Sequence, residues 1–120
     1  MNTTVDELVS TARARIRGLT PGFVEVAIYG GQSLVVDVRE VDELDEHGRI
    51  PGTLHAPRGM LEFWADPASP LHRPEFDPKR PTILVCATGS RSALAAETLQ
   101  RLGYADVAHL EGGFQAWKAR

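Results

Sequence analysis

The chain of 120 residues has a single cysteine, Cys86, and that shortage excludes a good deal. One thiol cannot close an internal disulfide, so the fold is not a stapled secreted scaffold. Nor can it build a thiolate-rich metal site, and no metal or cofactor is expected. No apolar run approaches the roughly 20 residues of a membrane span. The first residues, Met1 to Glu7, lack the basic flank and apolar stretch of a signal peptide. A reducing, cytoplasmic setting is the default expectation. Basic charge is also in short supply. The net charge of −3 argues against nucleic acid or an anionic membrane as partner. Internal repeats, low-complexity tracts and interdomain linkers are missing. What remains is one domain, with an apolar fraction of 42% that suffices for one core.

Within that domain, short apolar runs alternate with helical patterns. Residues 3 to 17 read as a helix capped by Thr3 or Thr4, with Glu7 at capping-box spacing and Gly18 as its stop. Val5, Leu8, Val9, Ala12 and Ile16 share its inward face. Arg13, Arg15 and Arg17 read as a solvated surface suited to the negative end of the helix dipole. Residues 1 to 18 are read as a helical extension packed on a domain of residues 19 to 120. A short helix is expected over 21 to 29, closed by Gly30-Gly31. Ser33 to Val38 is a buried strand, Val41 to His47 an acidic helix, and Thr53 to Ala56 a short strand sealed by Pro57. Met60 to Ala65 forms one or two helical turns. A proline-punctuated loop follows to Pro81, either a pocket rim or a stiff connection. Thr82 to Val85 is the next buried strand and Ser92 to Leu102 a helix with Gly103 at its end. Val107 to Leu110 is a last strand, and Phe114 to Ala119 a closing helix with Phe114 and Trp117 turned inward. This alternation is that of an α/β fold: a parallel sheet with helices on both faces.

The chemistry converges on Cys86. It ends a buried strand, and the loop Cys86-Ala87-Thr88-Gly89-Ser90-Arg91 leads straight into a helix. A thiol is mostly protonated at neutral pH, because its unperturbed pKa is about 8.5, and the thiolate is the nucleophile. Backbone N–H groups of residues 87 to 91 can curl around the sulfur, with Gly89 supplying a positive φ. The helix start adds its positive end, Ser90 and Ser92 are candidate caps, and Arg91 brings a full charge. Asp37 and Arg39 lie at the carboxyl end of their strand, where parallel sheets gather function; they read first as a structural pair supporting the loops. Arg58 lies at the same edge, either binding an anion or pairing with Asp37 or Glu62. His55 reads as packed rather than catalytic.

Four blocks carry a resemblance to a known family: Asp37-Val38-Arg39-Glu40 with Glu43; Gly48 to Pro57; Cys86 to Ser92; and Leu110-Glu111-Gly112-Gly113-Phe114 with Trp117. Over residues 19 to 119 the chain resembles the rhodanese-like sulfurtransferases. The resemblance implies a three-layer rhodanese-like fold around a central five-stranded parallel sheet. It also implies that Cys86 takes a sulfane sulfur from a donor, thiosulfate or a persulfide, and passes it from a persulfide to an acceptor. This is the thiosulfate:cyanide type of sulfur transfer. Ala87, Thr88, Gly89, Ser90, Arg91 and Arg58 would then hold the donor. The acceptor must be external, since no second cysteine can resolve the persulfide: cyanide, a small thiol, thioredoxin or an acceptor protein. Similar phosphatases and arsenate reductases have five residues between cysteine and arginine. Four intervene here, which suits one sulfur better than a tetrahedral phosphate. A non-catalytic binding module on the same fold is the rival from another class. Ala87 and Thr88 are uncharged where some members carry a cation for anionic donors.

Overall fold

The order of strands follows from which runs are apolar on both sides. Leu34–Asp37 (β2), Thr82–Val85 (β4) and Val107–Leu110 (β5) are buried at every position, as interior strands of a parallel sheet must be. The computed structural model describes residues 2–120. In it these three strands lie side by side, flanked by two short edges, Arg17–Leu19 (β1) and Leu54–His55 (β3). The sheet is five-stranded and parallel, in the order β1-β5-β4-β2-β3. The strand that ends at Cys86 is therefore the middle one.

Helices cover both faces. One core cluster holds Val36, Leu84, Val107 and Cys86 with Ile16, Leu61, Ala95 and Leu99. The opposite cluster holds Val35, Ile83, Val85 and Ala108 with Val24 and Phe114. The first face is thus covered by α4 (Leu61–Ala65) and α5 (Ser90–Arg101), with α1 (Val5–Arg15) packed on α5. The second is covered by α2 (Pro21–Gly30) and α6 (Gly113–Ala119). The remaining helix, α3, runs from Val41 to His47. No helix among the described residues is long and apolar enough to cross a membrane.

Four expectations are corrected. The first helix stops at Arg15, not Gly18, because Ile16 turns extended (φ −109°, ψ 136°) and buries its side chain. Arg17–Leu19 then pairs with β5, so the boundary drawn after Gly18 falls inside an edge strand. Only Ala12 and Ile16 of the inward face are buried, while Val5 and Leu8 are exposed. At the other helix, α5 begins at Ser90, with Gly89 as its N-cap and no side-chain cap. Neither Ser90 nor Ser92 caps it.

The long loop from Asp66 to Pro81 is a connection packed onto the first core cluster. Phe76 is buried in the first core cluster, and His72 Nε2 lies 2.9 Å from the Phe76 carbonyl. Arg73 stacks on Trp64 at 3.9 Å, while Phe63 is exposed. Tyr104 is anchored below it by donating to the Ala65 carbonyl at 2.7 Å.

Two charge pairs fix the carboxyl edge of the sheet. Asp37 and Arg39 are each 1% exposed. Arg39 Nε and Nη2 donate to the Asp37 carboxylate at 3.0 and 2.8 Å, and Nη2 also reaches the Gly48 carbonyl at 3.0 Å. The guanidinium lies 4.2 Å from the Phe114 ring centroid. The Arg39 carbonyl in turn sits 2.7 Å from His55 Nε2, which places His55 as a packed residue. The second pair ties α3 to α5. Arg91 Nη1 and Nη2 donate to Glu43 Oε1 and Oε2 at 2.7 and 2.8 Å. The Arg91 hydrogen bonds hold the Glu43 carboxyl down at about 2, with help from the Glu40 N–H.

Breaking the buried pair from one side leaves an uncompensated charge. Arg39→Met or Asp37→Ala alone is expected to cost about 3–5 kcal/mol in urea unfolding, and the double replacement less than the sum. Additive single losses would sink this account. For Glu43 the folded value lies below the ordinary 4.5. Its contribution is therefore complete above about pH 5 and is lost as pH falls through the folded value. Glu43→Gln is expected to cost about 1 kcal/mol at pH 6 and progressively less toward pH 2. A constant difference across that window would contradict it.

Candidate active site

The cysteine loop is shaped by what lies behind it. Cys86 leaves β4 fully buried. The carbonyls of Cys86 and Ala87 accept from the N–H groups of Phe114 and Gln115, at 2.8 and 3.1 Å, at the start of α6. With its carbonyls turned outward to α6, the loop can turn amides inward. Gly89 N–H donates to Cys86 Sγ at 3.1 Å and Ser92 N–H at 3.3 Å. Gly89 has φ +105°, which an L side chain rarely adopts, and any Cβ would also meet the Gly112 nitrogen. Gly113 must be glycine too: a Cβ there would strike the Cys86 and Ala87 carbonyls at about 2.5 Å. The Leu110-Glu111-Gly112-Gly113-Phe114 block is thus the outer brace of the cysteine loop.

Two amides thus meet the sulfur at the head of a 12-residue helix. Thr88 is exposed, and Ala87 and Ser90 are partly so. Their side chains make no hydrogen bond in the loop. Arg91 is directed to Glu43, to which two of its N–H groups donate. Arg58 resolves to the carboxylate side of its two readings. Nη1 donates to Glu62 at 2.8 Å and Nη2 to Thr98 at 3.3 Å. Asp37 and Arg39 lie together beneath the edge as the buried pair already described. A cleft of about 150 Å³ opens beside the loop, lined by Arg39, Glu43, Ala87, Gln115 and Lys118 among others.

Three residues join the site that the sequence reading passed over. Ser92, read there as a cap, places Oγ 3.5 Å from Cys86 Sγ and 2.8 Å from His109 Nδ1. His109 is buried at the end of β5, beside Cys86's own strand. Arg13, read as solvated surface, reaches over the loop from α1. Its Nη2 lies 3.3 Å from where a Gly89 Cβ would stand. Only the alternation of β5 could have pointed to His109. It shares a sheet face with Val107 and Leu84, and hence with the cysteine. Arg15 and Arg17, in contrast, pair with Glu97 and Asp106 on the surface.

Known proteins share this fold. The family model for the rhodanese-like domain matches residues 21–120. The putative sulfur carrier protein YrkF of Bacillus subtilis is 30% identical over 86 residues, 72% of this chain and 42% of that protein. The chain spans between about a third and three-fifths of the length of the curated relatives it matches. Among solved structures, RPA3614 of Rhodopseudomonas palustris, described as a possible tyrosine phosphatase, is 39% identical. It superimposes with a TM-score of 0.92 over 99% of this chain and 92% of its own. The human single-domain sulfurtransferase TSTD1 shares the fold at 20% identity, with a TM-score of 0.74 over 86% of this chain and 96% of its own. A parallel five-stranded sheet with a cysteine loop at its centre, matched by the family model over 21–120, shows that this chain belongs to the rhodanese-like family.

Proposed function

We propose that the protein is a sulfurtransferase that carries a sulfane sulfur as a persulfide on Cys86. The observation that supports it most is the sulfur itself: the chain's one thiol, held by the Gly89 and Ser92 amides at the head of α5. In the first half-reaction the Cys86 thiolate attacks the outer sulfur of the donor. A Cys86 S–S bond forms as the donor's S–S bond breaks. Sulfite leaves when the donor is thiosulfate, and a thiolate leaves when it is a persulfide. The loop amides then face the terminal sulfur's negative charge. In the second half-reaction an external acceptor takes that sulfur and Cys86 returns as thiolate. Cyanide, a small thiol, thioredoxin or an acceptor protein fits the role, and a reducing, cytoplasmic setting suits an unpaired thiol.

Donor recognition falls on fewer charges than the loop suggests. Arg91 and Arg58 are both engaged by carboxylates, and Ala87 and Thr88 are neutral. An anionic donor that binds Arg91 must share it with Glu43. A persulfide places one negative charge at its reacting sulfurs where thiosulfate carries two on the same small group, so it asks less of Arg91, which supports a persulfide over thiosulfate as donor.

The possible phosphatase activity ascribed to the Rhodopseudomonas palustris relative finds less support in this loop. Only four residues separate Cys86 from Arg91. The arginine fork that would grip a phosphoryl group is turned to Glu43. The rival reading, a binding module, leaves the buried thiol without a task.

Intact-mass measurement after exposure to glutathione persulfide or thiosulfate is expected to show a gain of one sulfur in wild type and none in Cys86→Ser. Thiosulfate with cyanide should yield thiocyanate more slowly than a persulfide donor yields product. No gain with any donor would end the sulfurtransferase reading, and Cys86-dependent hydrolysis of an aryl phosphate would replace it.

A further inference from the structure

Cys86 exposes none of its surface, so its proton cannot pass directly to water. A route is nevertheless built. Sγ lies 3.5 Å from Ser92 Oγ, which lies 2.8 Å from His109 Nδ1. The other ring nitrogen, His109 Nε2, is buried and has no hydrogen-bond partner among the described residues. It points at Glu111, whose Oε2 stands 3.5 Å away. That carboxylate lies over Gly18, the β1 residue paired with His109, in space that any Cβ there would fill. Glu111 itself is more than half exposed. The chain of groups thus runs from a buried sulfur to solvent, and the surrounding strands make room for it.

Resting on the reading of Cys86 as the reacting thiol, we propose that His109 is a positioning residue acting through Ser92 as the centre of a proton relay from Cys86 to Glu111. In the thiol state S–H donates to Ser92 Oγ, the Ser92 hydroxyl donates to Nδ1, and the ring carries its proton on Nε2, facing Glu111. When the thiol ionises, its proton moves to Ser92 Oγ and the serine proton moves to Nδ1. The Nε2 proton leaves through Glu111 to water. One proton is lost overall, no charge stays on the ring, and Ser92 has turned from acceptor to donor toward the sulfur. The thiolate then has three donors in place of two: the Gly89 amide, the Ser92 amide and the Ser92 hydroxyl.

The charges facing the ring suit a neutral conduit. Burial pulls His109 below the usual histidine value, and Arg13 on α1 pulls it the same way, while Glu111 opposes both. The imidazolium is disfavoured, so the ring alternates between its two neutral forms. Glu111 on one side and the sulfur on the other decide which form is present.

The test is the tautomer. In full-length protein labelled with 15N-histidine, ring nitrogen shifts of His109 are read by long-range 1H–15N correlation on both sides of the Cys86 titration. That titration is followed independently by thiolate absorbance at 240 nm. The Nε2–H form is expected below the thiol midpoint and the Nδ1–H form above it, with no change across the same range in Cys86→Ser. Ser92→Ala is expected to uncouple the two and raise the thiol midpoint by about one pH unit. Glu111→Ala, on an exposed side chain, is expected to shift the ring toward Nδ1–H at pH 6 without altering Tm. An unchanged tautomer across the midpoint, an unmoved midpoint in Ser92→Ala, or a wild-type ring in Glu111→Ala would each overturn the relay. None of these readouts needs sulfur uptake. A protein that takes up no sulfur but shows the tautomer change loses only the functional reading, and the converse loses only the relay.

Discussion

A sulfur that is to carry charge inside a protein must find its donors there, and that requirement orders this structure. Water cannot serve a residue with no exposed surface, so backbone amides do. Amides can turn inward only if the same loop's carbonyls are satisfied outside, which is the task of the first turn of α6. That turn can approach closely only because Gly113 has no side chain. The position of the cysteine at the end of the central strand follows as well. From there helices on both faces can reach the loop, α5 from in front and α6 from behind.

The charged residues around the site are mostly braces. Asp37 and Arg39 satisfy each other in the interior and hold Gly48 and His55 in place. Glu43 and Arg91 join the helix after β2 to the helix after β4. Such pairs cost desolvation and repay it in geometry. The outcome is a site whose nearest buried charges, Asp37 and Arg39, are already spent on structure.

Much of this was legible in the sequence because the signals were redundant. The interior strands are apolar throughout, and the pattern Cys86-x-x-Gly89-x-Arg91-Ser92 has a strong local geometry. Asp37 and Arg39 were correctly read as a pair because both lie at a strand end. The edge strand Arg17–Leu19 was not legible: three residues, one arginine and one glycine, carry no period, and only pairing with β5 makes them a strand. The pairing of Arg91 with Glu43 was not foreseen, because a side chain of that length goes where a partner is, and Glu43 is distant in sequence. His109 was hidden for the opposite reason, since a buried histidine in an apolar strand looks like filler until its neighbour across the ladder is known.

The brace formed by α6 divides the loop's duties. The cradle is shaped mostly by main chain, two carbonyls facing out and two amides facing in, with the Ser92 hydroxyl beside the sulfur. The side chains of Ala87 and Thr88 make no hydrogen bond to it; Ala87 lines the neighbouring cleft and Thr88 is exposed. On the proposed sulfur-transfer reading, reactivity and selectivity would therefore be written in different parts of the same six residues. These two positions offer an engineer a dial for the charge of the incoming partner that leaves the sulfur's own surroundings untouched, and they offer evolution the same freedom.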